Sequence, residues 1–173
     1  MMNNQANAAP NIGVFIASPQ DLSSVMTVVR KGMTEYAQKA NIPQDENGIP
    51  LLEALHEPKA VVLQAIRENR VVIARCNWNI VGTLRLDPDQ ETGICYLRRF
   101  VVLSNIRGQG VGHLMFQRAN KYASSWGSKS IQLYTNYDNR PLMKFYESLG
   151  FHVLSIDHSG TYPRALLTCP LDN

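Results

Sequence analysis

The chain has 173 residues, of which 45% are hydrophobic and 18% charged, with 17 basic against 14 acidic side chains for a formal charge of +3. That length suits one ordinary domain with a sizeable core, and the apolar share excludes wholesale disorder. The charge excess is too small and too dispersed for a dedicated nucleic-acid binder. The longest apolar runs, Ala60 to Leu63 and Phe100 to Leu103, are far shorter than a membrane span needs. Three cysteines, Cys76, Cys95 and Cys169, are widely spaced with no CxxC, which argues against a disulfide framework or zinc site and fits a reducing cytoplasm.

Residues 1–10, rich in Asn and Ala, read as a loose tail with neither basic start nor apolar stretch, so no signal peptide is expected. Residues 11–173 read as a single domain. Asn11 to Ala17 predicts a first strand. Ser18-Pro19, with Asp21 in the first turn, predicts a helix start, and Leu22, Val25, Met26, Val29, Met33 and Tyr36 follow on one face. Asn41 to Pro50 is a loop, and a second helix is expected from Leu51 to Asn69, kinked at Pro58. Val71 to Arg75 and Val81 to Leu86 predict strands joined by a hairpin turn at Asn77-Trp78-Asn79. Asp87-Pro88-Asp89 predicts another turn, and Gly93 to Leu103 a longer strand. Val111 to Trp126 has helical period and stops at Gly127. A strand (Ser130 to Thr135), a helix (Arg140 to Leu149, closed by Gly150) and two strands (Phe151 to Ile156, Ala165 to Cys169) complete the order β-α-α-β-β-β-α-β-α-β-β. This is an α/β, mixed-sheet arrangement with helices packed on it.

The chemistry concentrates after the long strand. In Arg107-Gly108-Gln109-Gly110-Val111-Gly112-His113 a glycine-rich turn opens an amphipathic helix. Glycines remove the side chains that would hold a ligand off the backbone N–H groups, and a helix start leaves such donors unpaired at the positive end of its dipole. That is an anion site suited to phosphate or pyrophosphate, to which Arg107 adds a formal charge. The Walker pattern fails, because His113 follows Gly112 where lysine is required. The dinucleotide pattern fails as well, for want of its third glycine.

A second segment, Asn139-Arg140-Pro141-Leu142-Met143-Lys144-Phe145-Tyr146-Glu147-Ser148-Leu149-Gly150-Phe151, follows one strand later. Together the two segments resemble the GNAT superfamily of acetyl-CoA-dependent N-acetyltransferases. Arg107 to Gly112 is similar to that family's pyrophosphate loop, and Asn139 to Phe151 to its second signature, with Leu142 where alanine is usual. The resemblance implies a central, mostly antiparallel, twisted sheet of about seven strands flanked by about four helices. It implies acetyl-CoA as co-substrate, no metal, and direct transfer to a primary amine in a ternary complex. By position, Phe100, Val101 and Val102 would offer backbone hydrogen bonds to the pantetheine arm. Arg107, Gly108, Gln109, Gly110, Val111, Gly112 and His113 would cradle the pyrophosphate, Asn139 would hold the pantetheine region, and Tyr146 would protonate the departing thiolate. A tyrosine pKa of about 10 is comparable with that of an alkyl thiol.

No carboxylate stands on the strand before the loop, where many family members carry one, so no general base is assigned. Glu35, Glu53, His56 and Glu57 are within the two N-terminal helical stretches. A regular strand would send Arg98 and Arg99 to opposite faces, with Tyr96, Arg98 and Phe100 sharing one. An arginine on the inner face needs an anionic partner, either an internal acid such as Asp87 or Glu91 or an anionic substrate. The expected acceptor is accordingly a small amine bearing an anionic group, read by Arg98. Two rivals stay open: acetylation of protein lysines or N-termini, and a non-catalytic acetyl-CoA-binding module. A cytoplasmic location is expected, without nucleic-acid or membrane partners, and a homodimer is compatible with the resemblance.

Overall fold

The computed structural model describes residues 11–172; the expected tail, residues 1–10, lies outside them. Seven strands form one sheet: β1 (Ile12–Ile16), β2 (Val71–Cys76), β3 (Asn79–Asp89), β4 (Ile94–Val102), β5 (Ser130–Asn136), β6 (His152–Asp157) and β7 (Arg164–Pro170), in the order β1-β2-β3-β4-β5-β7-β6. Every neighbouring pair is antiparallel except β4 and β5. The helices are α1 (Leu22–Lys39), α2 (Lys59–Arg67), α3 (Val111–Ser125) and α4 (Arg140–Ser148). The mixed architecture expected from the sequence is what forms.

Alternation along β2 shows how the layers are built. Val71 and Ile73 join a core with α1 and α2, whereas Val72 and Ala74 join the larger core under α3 and α4. Because the side-chain period of a strand is two, those cores lie on opposite faces of the sheet. The start of α1 follows the predicted chemistry. Ser18 N–H and Oγ both donate to Asp21 Oδ2, at 2.9 and 3.0 Å, with Pro19 in the first turn that leads into the helix. The buried stripe of α1 is Leu22, Val25, Val28, Gly32 and Ala37. Met26, Val29, Met33 and Tyr36, expected in the core, are only half-buried.

Three expectations are corrected. Leu51 to Asn69 is not one kinked helix: a single 3-10 turn at Glu53–Leu55 precedes α2, and Pro58 caps α2 from outside with φ −63° and ψ 140°. Proline holds its predecessor out of the helical region, which frees Glu57 to reach inward. Asp87-Pro88-Asp89 is the end of β3, with Pro88 opposite Cys95. Pairing with β2 stops at Arg85, so the missing proline N–H costs no ladder bond there.

The third correction shapes the site. β4 is not regular: Arg85 pairs with Arg98 and Thr83 with Val101, so Arg99 and Phe100 together oppose Leu84. Arg99 occupies the left-handed region at φ 54°. Such a bulge shifts the alternation by one. Arg98 and Arg99 both turn to the α1–α2 side, where their acidic partners are, and Phe100 turns instead against Phe145 and Tyr146 of α4.

Candidate active site

β4 and β5 pair only from Ile94–Ser130 to Tyr96–Gln132. Beyond that β4 runs on to Val102 without a β5 neighbour, and the strands part into a V. Two clefts open at this parting. One, of about 470 Å³, lies toward α3 and α4 and includes Phe100, Val101, Val102, the glycine loop, Asn139 and Tyr146. The other, of about 510 Å³, lies toward the α1–α2 connection and the β6–β7 connection and includes Arg98, Arg99, Tyr134 and Arg164. Met33, Tyr36, Phe100, Leu142 and Tyr146 border both. A ligand in one can therefore react with a ligand in the other only across this line of residues.

The glycines of the loop are there for different reasons. Gly108 and Gly110 have φ of +80° and +77°, and a Cβ at either would meet nothing within 4 Å. They meet a backbone requirement while keeping the space in front of the backbone clear. Gly112 is a packing glycine, since a Cβ there would stand 2.7 Å from the Phe145 ring. Gly110 caps α3, whose first-turn N–H groups leave an anion-binding end at the cleft. Gln109 is exposed and does not border the cleft, whereas Gly108, Gly110, Val111, Gly112 and His113 do. His113 lies 3.1 Å from Ser148 Oγ by its Nε2 and edge-on to Phe145.

Arg107 borders the cleft with three of its five N–H donors committed to protein. Its Nε donates to Val102 O at 2.9 Å, and its fork grips both Glu35 oxygens at 2.7 and 3.1 Å. Hydrogen bonds from Arg107 and then Lys39 hold the Glu35 carboxyl down at about 2. Asn139 is the N-cap of α4, its Oδ1 accepting from Leu142 N–H at 3.3 Å, and the residue borders the cleft. Tyr146 is 7% exposed, and burial pushes its phenol above the ordinary tyrosine value of 10. A phenol in that setting keeps its proton across the neutral range.

In the second cleft Arg98 Nε lies 3.1 Å from Asp87 Oδ2 but without hydrogen-bond alignment, so one of the internal acids expected from the sequence is indeed nearby. The same guanidinium leans over Tyr96, and Arg164 stacks on Tyr134 at 4.0 Å. Glu57 is engaged by Arg85 at 2.7 Å and by Arg99 at 3.5 Å, and Arg99 also reaches Glu53 at 3.2 Å. His56 Nε2 faces Pro50 O at 2.9 Å. Of the four sequence candidates for a base, Glu35, Glu53 and Glu57 are ion-paired and His56 is turned to its own loop. Cys95 is buried, and its thiol is pushed up to about 12 by burial and by Asp87.

Sequence reasoning missed the Tyr36–Tyr162 contact. The two hydroxyls are 3.4 Å apart and join α1 to the β6–β7 connection at the wall of the second cleft. Tyr36 read as a core position by its spacing, and nothing in the sequence marks the loop residue Tyr162 as its partner. Among the described residues no group of three or more His, Cys, Asp or Glu side chains could hold a metal, and no helix is long and apolar enough to cross a membrane.

Comparison with known proteins fits this geometry. N-acetylaspartate synthetase of Xenopus tropicalis is 32% identical over 87 residues, which are 50% of this chain and 32% of that protein. N-alpha-acetyltransferase 30 of Schizosaccharomyces pombe is 29% identical over 82 residues, 46% of this chain and 55% of that protein. The chain spans between 28% and 55% of the length of the curated relatives it matches. The PaiA N-acetyltransferase from Thermoplasma acidophilum, solved in complex with coenzyme A, superposes with a TM-score of 0.77 at 18% identity, over 92% of this chain and 99% of that one. A family model described as the acetyltransferase (GNAT) family matches residues 36–151. With the seven-stranded sheet and its parted strands, that match shows that the chain belongs to the GNAT family of acetyltransferases.

Proposed function

We propose that this protein transfers the acetyl group of acetyl-CoA to the primary amine of a small anionic molecule, by direct attack within a ternary complex. The observation that carries this reading is the pair of clefts meeting at Tyr146, one glycine-lined and ending on a helix N-terminus, the other lined by arginines. The open space before Gly108 and Gly110 suits a pyrophosphate at the α3 N-terminus. The stretch of β4 at Phe100, Val101 and Val102, which has no β5 neighbour, suits an extended amide arm, and Asn139 borders the same cleft. When bound, acetyl-CoA supplies an acyl group already activated as a thioester. The chain's part is to align it, to polarise its carbonyl from the β4 backbone, and to return a proton from Tyr146 to the leaving sulfur. With the nearby carboxylates ion-paired, the amine in this reading enters neutral or loses its proton to water.

The small anionic acceptor is supported by Arg98 and Arg164, which both border the second cleft, Arg98 with Asp87 on one side and its side chain still partly exposed. The likeness to an N-acetylaspartate synthetase agrees with it. Acetylation of protein N-termini is the second reading, favoured by the likeness to N-alpha-acetyltransferase 30. Aspartate and glutamate, their side-chain amides, and a short peptide with a free N-terminus separate the two. The first reading expects the acidic amino acids to be preferred. It also expects Arg98→Ala to raise the KM of the acidic amine by roughly tenfold or more, as for loss of a charged hydrogen bond, while the KM for acetyl-CoA stays put. Equal changes in both KM values, or preference for the peptide, would count against it.

A further inference from the structure

Arg107 stands first in the phosphate loop, where its charge invites the assignment of pyrophosphate ligand. Its contacts point elsewhere. Three of its donors are taken by protein acceptors, one by Val102 O and two by the carboxylate of Glu35. The bidentate geometry fixes its guanidinium on Glu35, whose single negative charge is shared with Lys39. Those acceptors belong to different walls of one cleft: Glu35 to the last turns of α1, Val102 to the end of β4, and Arg107 itself to the start of the glycine loop. Lys39, one turn along α1, donates at 3.0 Å to the same Glu35 oxygen, Oε1, that accepts from one Arg107 nitrogen. Downstream of Arg107, Gly108 and Gly110 lack any side chain that would fix the loop.

We infer that Arg107 is a positioning residue, a strut that ties α1 and the end of β4 to the glycine loop and holds the cofactor cleft at its working width. The anion's charge is then met by the backbone N–H groups from Gly108 onward and by the α3 N-terminus. Because Val102 O already accepts from the strut, the β4 carbonyls left for the pantetheine arm are those before it. This inference rests on the proposal that the cleft takes acetyl-CoA.

The test is calorimetric titration with acetyl-CoA across a NaCl series, for wild type, Arg107→Met, Arg107→Lys, Glu35→Ala and the Glu35→Ala/Arg107→Met double variant. A strut predicts that each single variant binds roughly tenfold more weakly, within the range that directly contacting residues span. The double variant should bind no worse than Arg107→Met, and the salt dependence should match wild type throughout. Arg107→Lys keeps the charge but loses the fork, and should bind as poorly as Arg107→Met. A phosphate ligand held back by Glu35 predicts the reverse: tighter binding and steeper salt dependence in Glu35→Ala, a flatter slope in Arg107→Met, and near wild-type affinity in Arg107→Lys. That pattern, or additive losses in the double variant, would overturn the strut. Failure of wild type to bind acetyl-CoA at any salt is a separate result, and it overturns the cofactor reading on which the strut depends.

Discussion

Replacing Tyr146 by phenylalanine is expected to lower kcat by about 100-fold or more, the usual contribution of a positioned acid, while the KM for acetyl-CoA changes little. Phenylalanine keeps the ring contacts that tie this position to Phe100, Phe145 and Phe151, with centroids 6.5, 5.5 and 5.7 Å away, so the fold should persist. Only the hydroxyl at the junction of the clefts is removed. The pH profile follows from burial. A phenol raised above 10 stays protonated as pH climbs through the neutral range, so the alkaline fall in kcat should lie beyond the pKa of free tyrosine. Steady-state measurement of thiol release checks both. An unchanged kcat would remove Tyr146 from the chemistry.

The largest effect on stability is expected at Gly32, in the middle of α1. A Cβ at that position would lie 2.2 Å from Val101 Cγ1 and 2.7 Å from Cγ2, so helix and strand touch with no room for a methyl group. Gly32→Ala should cost about 2–3 kcal/mol, the upper range for overpacking, and lower Tm by roughly 5–10 °C for a chain of this size. The helix gain from alanine offsets only about 1 kcal/mol of that strain. Trimming the neighbour should relieve it: Gly32→Ala/Val101→Ala should be no less stable than Val101→Ala alone. Thermal denaturation of the three variants reads this directly. Wild-type Tm for Gly32→Ala would mean that α1 is not pressed against β4. Because that contact holds the strand bordering the cofactor cleft, binding of acetyl-CoA should weaken along with stability.

The elements legible in the sequence are those with a strong local code. The start of α1 was written in Ser18, Pro19 and Asp21, and α3 and α4 in their helical period with glycine stops. The loop and the Asn139 to Phe151 segment gave the family before any geometry was known. What escaped depends on tertiary contacts. An arginine at φ 54° has no sequence signature, so the β4 bulge and the shared face of Arg98 and Arg99 were invisible. Pro88 looked like a turn because its tolerance within β3 depends on where β2 ends. The ion pair of Arg107 was hidden because its partner Glu35 stands 72 residues away. The same distance problem hid the Tyr36–Tyr162 contact, across 126 residues. Of the loop glycines, only the fold separates Gly108 and Gly110, which face open space, from Gly112, which makes room for a ring.

If the glycine loop cradles the cofactor, a side chain at Gly110 must abolish binding without unfolding the protein. Wild type and Gly110→Val are titrated calorimetrically with acetyl-CoA, with dephospho-CoA and NAD as controls. Gly110 borders the cleft at φ +77° with nothing within 4 Å of a Cβ, so valine strains the backbone by about 1–2 kcal/mol and adds bulk to the open space at the loop. A cofactor cradle predicts one-to-one micromolar binding by wild type, weak or no binding of NAD, and loss of acetyl-CoA binding by a variant that still melts cooperatively. No binding by wild type, or undiminished binding by Gly110→Val, would contradict it.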